Sequence, residues 1–115
     1  MAGKPSRGEV WRVDLEPVRG HEQGRVRPCV IVSDDVYNHG PSEMVAIVPI
    51  TSKAKGIPLH VAVDPPEGGL TTRSYIKCDD VRTIAVERLS KQFGKLSDIV
   101  MREVDDRLRI FLSLA

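Results

Sequence analysis

The chain has 115 residues, 41% of them hydrophobic, with 17 Lys and Arg against 16 Asp and Glu for a net charge of +1. That length predicts one domain over 1–115 with its own core, not a two-lobed enzyme with a separate cofactor unit, and the hydrophobic share excludes general disorder. Near-neutral charge excludes a domain that coats nucleic acid through bulk basicity, and one Trp, two Tyr and two Phe exclude a broad stacking platform. A nucleic-acid site here has to be a local cluster.

The first predicted element is a half-buried strand over 9–15, where Trp11, Val13 and Leu15 alternate with Arg12 and Asp14. Pro17 ends it, and a polar loop with Gly20 and Gly24 follows. A second strand starts near Arg27 and runs through Cys29-Val30-Ile31-Val32, and a turn-rich connection follows with Asp34, Asn38, Gly40 and Pro41. Residues 44–50 form an apolar, β-branched run read as a buried strand, in which Pro49 predicts an edge or a bulge. Further strands are predicted over 59–63, 74–78 and 81–86, and one helical turn over 87–91.

The last element has a different period. Leu96, Val100, Val104, Leu108 and Leu112 recur every four residues, so an amphipathic helix is predicted with Ser97 as N-cap and Asp98 in its first turn. Leu96 and Met101 form a candidate hydrophobic staple. The expected fold is mainly β: a small, partly open barrel of about six strands with a C-terminal amphipathic helix.

Cys29 and Cys78 each lie in or beside an apolar segment and read as buried free thiols. The histidines His21, His39 and His60 lack metal-ligand spacing, so no metal and no cofactor are expected; His39 reads as a turn residue and His60 as a surface or interface side chain. Residues 1–8 hold no apolar signal core and no apolar run reaches membrane-spanning length, so a cytoplasmic protein with no membrane segment is expected.

The loop after the first strand is the segment richest in chemistry. Arg19, Arg25 and Arg27 lie close together around His21, Glu22 and Gln23. Guanidinium forks suit phosphate, and an amide can read base edges. Taken alone, such a loop is more often a solvated hairpin tip. Ile50-Thr51-Ser52-Lys53 sets hydroxyls and an ammonium at a strand end, which is also ordinary strand-exit chemistry.

The segments Arg7-Gly8-Glu9-Val10-Trp11, Val13-Asp14-Leu15-Glu16-Pro17, Arg19-Gly20-His21-Glu22-Gln23, Arg27-Pro28-Cys29-Val30-Ile31-Val32, Val48-Pro49-Ile50-Thr51-Ser52 and Val81-Arg82-Thr83-Ile84 stand in an order and spacing that resembles the MazF/PemK-like toxins of toxin–antitoxin systems. The resemblance implies an SH3-like barrel that forms a homodimer. It implies a metal-independent, sequence-specific endoribonuclease that cuts single-stranded mRNA, leaving a 2′,3′-cyclic phosphate and a 5′-hydroxyl. The implied partner is a cognate antitoxin whose acidic, flexible segment covers the RNA site. The family's two functional positions fall on Arg27 and Thr51 as catalytic residues. Arg19, His21, Glu22, Gln23, Arg25, Ser52 and Lys53 are the candidate RNA-binding residues. His21 stands where the family often has serine, and Asp80 where many members carry glutamine. Two other readings of the residues are a non-catalytic SH3-like binding module and a gyrase-poisoning toxin of related fold.

Overall fold

The computed structural model describes residues 4–16, 20 and 25–115. Alternation in the first strand, β1 (Glu9–Asp14), sends Val10 to one side and Val13 to the other, both fully buried, so the strand is covered on two faces. It pairs antiparallel with β2 (Val26–Ile31), which pairs in turn with the long β3 (Met44–Thr51). A short helix, α1 (Asp35–Asn38), capped by the Asp34 carboxylate accepting from the Val36 N–H, fills part of the β2–β3 connection that the sequence marks only as turns.

Strand β3 is the centre of the sheet. One edge takes β2, and the other is shared between β6 (Arg82–Ala85), which pairs with its first half, and β5 (Ser74–Lys77), which pairs with Ile50 and Thr51. β4 (His60–Val63) adds outside β5. Pro49 therefore lies in a central strand, not at an edge or a bulge: β6 stops at Ile47 and β5 starts at Ile50, so the proline occupies the change of partner. A missing N–H is tolerated where the ladder is already interrupted.

A seventh strand, β7 (Leu89–Lys95), stands where a helical turn was expected, and the turn itself is confined to Val86–Arg88. β7 is mostly exposed and polar, so it carries no alternation to read; its pairing along the free edge of β1, with two register shifts, makes it a strand. The sheet is thus seven antiparallel strands, open and curled like a barrel that does not close.

Helix α2 (Asp98–Leu112) begins as the sequence predicts, with the Ser97 hydroxyl accepting from the Val100 N–H. Leu96, Met101 and Val104 pack with Val10, Val30, Val48, Ile50, Val61 and Ile76 into one core cluster. The second cluster lies on the other face, where Val13, Leu15, Cys29, Ile31, Val45, Ile47 and Ile84 meet Trp11, Val86 and Leu89. Strands β6 and β7, from different parts of the sheet, both reach this cluster, which is the physical content of the curl.

Besides its ladder with β1, β7 passes close to the backbone of Gly69. Gly69 has φ +75°, and a Cβ there would stand 2.0 Å from the Phe93 carbonyl oxygen. Gly69→Ala should lower stability by about 2 kcal/mol or more, a drop of roughly 10 °C in Tm. Gly56→Ala, also at positive φ but with nothing within 4 Å of its Cβ, should cost about half as much; thermal melts followed by circular dichroism compare the two.

Candidate functional site

Arg27 is the second residue of β2 and stands opposite Val13 of β1, so its side chain shares the face of Val13, Cys29 and Ile31. Thr51 ends β3 on the face of Ile47 and Pro49. The β2–β3 ladder runs from Ile31–Ile47 to Cys29–Pro49 and stops two residues short of Arg27 and Thr51, which by alternation lie on the same face of the sheet. The two residues that match the family's functional pair thus follow the same end of that ladder, on the face of the second core cluster.

Both side chains are held in ways that suit a ligand. The Thr51 residue is 5% exposed, and its Oγ1 accepts the Lys53 N–H at 3.2 Å. A hydroxyl that accepts there keeps its own proton to donate elsewhere. Arg27 Nε is buried without a hydrogen-bond partner among the described residues, a costly state for a guanidinium unless an anion completes it.

Neighbouring strands add charge to the same face. Arg82 stands opposite Ile47, and its Nη2 donates to the Leu15 carbonyl at 2.9 Å. Lys77, nearly buried, has Nζ 3.6 Å from Asp80 Oδ2. Tyr75 pairs directly with Thr51 across β3 and β5. Sequence reading did not single out Tyr75, Lys77 or Arg82 as site residues. The available signal was the alternation of β5, which sends Tyr75 and Lys77 to one side, but which neighbour they meet depends on β5 pairing with the end of β3.

The remaining candidates divide. Arg25 is exposed with φ 64°, its N–H donating to Glu16 Oε1 at 2.8 Å and its carbonyl accepting from Leu15 at 3.0 Å, which closes the base of the hairpin two residues before Arg27. Ser52 and Lys53 are exposed at the strand exit, and Lys53 serves Thr51 through its backbone. Arg19, His21, Glu22 and Gln23 lie outside the described residues. His60 corrects its expectation: its side chain is 3% exposed, with Nε2 2.9 Å from Asp79 Oδ1. Asp79 and Asp80 thus serve different partners, as adjacent residues pointing apart should. A cleft of about 670 Å³ lined by Trp11, Met44, Val86, Glu87 and Leu89 opens at the far end of β3 and includes neither Arg27 nor Thr51.

A family model described as PemK-like, MazF-like toxin of type II toxin–antitoxin systems matches residues 6–112. Endoribonuclease EndoA of Bacillus subtilis is 37% identical over 109 residues, covering 94% of both chains. Endoribonuclease MazF9 of Mycobacterium tuberculosis is 35% identical over 113 residues, covering 94% of this chain and 96% of its own. Among solved structures, a mycobacterial endoribonuclease in complex with its cognate antitoxin superposes with a TM-score of 0.80 at 28% identity, covering 96% of this chain and 97% of that one.

The cysteine beside the site is inert. Burial pushes the Cys29 thiol from 9.0 up to about 12, against the opposing field of Arg82, and burial does the same for Cys78, up to about 12. Folding therefore favours both neutral thiols, so their contribution to stability is complete below about pH 9 and lost as pH rises toward 12. Native protein at pH 8 should leave both thiols unlabelled by a chromogenic disulfide reagent, with two reacting on unfolding. Denaturant titrations at pH 8 and pH 10.5 should show stability falling with pH, less so in Cys29→Ala.

Proposed function

Because the chain belongs to the PemK-like, MazF-like toxin family of type II toxin–antitoxin systems, we propose that it is an endoribonuclease toxin that cuts single-stranded mRNA at short sequences by internal attack of the RNA 2′-hydroxyl. The Cys29–Pro49 register supports this reading, because its continuation by two residues would bring Arg27 to Thr51.

In the reaction the 2′-oxygen bonds to the neighbouring phosphorus and gives up its proton, the bond from phosphorus to the 5′-oxygen breaks, and that oxygen takes up a proton. A 2′,3′-cyclic phosphate and a 5′-hydroxyl result, with no water consumed. Charge builds on the non-bridging oxygens in the transition state, and a fixed donor there stabilises the transition state more than the ground state. The Arg27 guanidinium supplies the cation; the Thr51 hydroxyl, already accepting from the Lys53 N–H, donates its proton to the same phosphate. Because the guanidinium takes the charge a metal would otherwise neutralise, the proposed reaction needs no metal. Arginine stays protonated, so the proton carriers are sought in the loop, where Glu22 and His21 are the candidates on chemical grounds.

The proposed partners follow from the same surfaces. Arg25, Lys53 and the other cations around Arg27 suit the acidic, flexible segment of a cognate antitoxin, and the relative solved with its antitoxin supports that partner. Ile99, Ile110, Phe111, Leu112 and Leu114 are exposed on and just beyond α2, apolar surface that supports self-association into a homodimer. No helix among the described residues is long and apolar enough to cross a membrane, in keeping with action on mRNA in the cytoplasm.

Arg27→Ala and Thr51→Val should each fold and lower the cleavage rate by about two to three powers of ten. RNA carrying a single 2′-deoxy at the scissile nucleotide should survive, as should DNA of the same sequence. Gel mapping of cut ends with purified protein reads all of these together; cleavage of the deoxy-substituted RNA would rule out internal attack.

A further inference from the structure

We propose that Tyr75, flanked by Arg73 and Lys77 along one side of the chain, stacks a nucleobase of the RNA beside the phosphate held by Arg27 and Thr51. This rests on the reading of that pair given above.

Tyr75 stands directly opposite Thr51 in the β3–β5 ladder and opposite Ala62 in the β4–β5 ladder. The row Thr51, Tyr75, Ala62 thus crosses three strands on the face turned away from the α2 core, since the neighbouring row of Ile50, Ile76 and Val61 belongs to that core. Tyr75 belongs to neither core cluster. It is half-buried, and its flank on the β4 side is an exposed alanine, too small to cover the ring. An aromatic ring that packs in no core, one strand away from a phosphate-holding hydroxyl, is positioned for the base attached to that backbone.

The cations strengthen this arrangement. The Arg73 guanidinium carbon lies 5.7 Å from the centroid of the Tyr75 ring, within cation–π range. Its Nη1 is 2.7 Å from Asp64 Oδ2, which fixes the guanidinium beside the ring and leaves it more than half exposed. Lys77, two residues further on, shares the face of Tyr75 and is braced by Asp80. The exposed Arg73 guanidinium beside the ring pairs backbone attraction with base stacking, as single-stranded nucleic acid requires. Stacking uses the π-face common to every base, so this subsite adds affinity at one nucleotide position without choosing the base there.

The test uses the whole protein and a short RNA spanning a mapped cut, made uncleavable by one 2′-deoxy at the scissile nucleotide. Abasic substitutions are scanned along that RNA, and binding to wild type, Tyr75→Phe and Tyr75→Ala is followed by fluorescence anisotropy. One abasic position next to the cut should weaken wild type and Tyr75→Phe by roughly 5- to 150-fold. Tyr75→Ala should bind the intact RNA more weakly by a similar factor and be indifferent to that position. The scan on wild type needs no variant to fold, and melting curves check the variants. If wild type and Tyr75→Ala respond alike at every abasic position while Arg27→Ala has lost cleavage, the stacking inference is overturned and the catalytic pair stands. If Arg27→Ala and Thr51→Val cut like wild type, or wild type does not cut at all, the reading of the pair fails and the subsite falls with it.

Discussion

The β2–β3 register is the constraint on which the rest depends. Val30, Val48 and Ile50 must face α2, while Cys29, Ile31, Val45 and Ile47 must face the interior of the curl. Side chains in a strand alternate strictly, so a slip of one residue would exchange the two sets and bury each against the wrong cluster. The same slip would turn Thr51 into the helix-facing core and bring Ile50 to the phosphate. Packing on both faces therefore fixes which face of the sheet carries the Arg27 and Thr51 side chains.

The two faces of the sheet divide the work. One is closed by α2 and is apolar throughout. The other begins apolar at Val45, where β6 and β7 curl over it, and ends polar at Thr51, where β5 replaces β6 as partner. Strand β3 is long enough to belong to both regions. The proline at the change of partner lets one continuous strand serve two ladders, and Thr51, the second residue of the new ladder, ends the strand on the polar side.

A chain with a net charge of +1 has no general attraction for a polyanion. What it has is cations held by partners on one side: Arg82 by the Leu15 carbonyl, Lys77 by Asp80, Arg73 by Asp64. Each such partner lowers the net charge and also restricts the side chain, so that less freedom is lost when a phosphate arrives. Local order thus stands in for bulk basicity.

Much of this was legible from the residues alone. Alternation and β-branched runs marked six of the strands, a four-residue period with a serine cap marked α2, and apolar flanks marked both thiols as buried. These are properties of a segment and its own period, and tertiary packing had only to accept them. β7 was not legible, because a polar edge strand is defined by the neighbour it pairs with. His60 was misread for the same reason: its polar partner, Asp79, stands on a different element of the fold. The sequence determined which residues carry a charge, a hydroxyl or a ring, and which faces must be buried. Only the tertiary structure decided that Thr51, Tyr75 and Ala62 share one row of neighbours, because cross-strand adjacency depends on register between segments distant in the chain, and register is set by the packing of both faces at once.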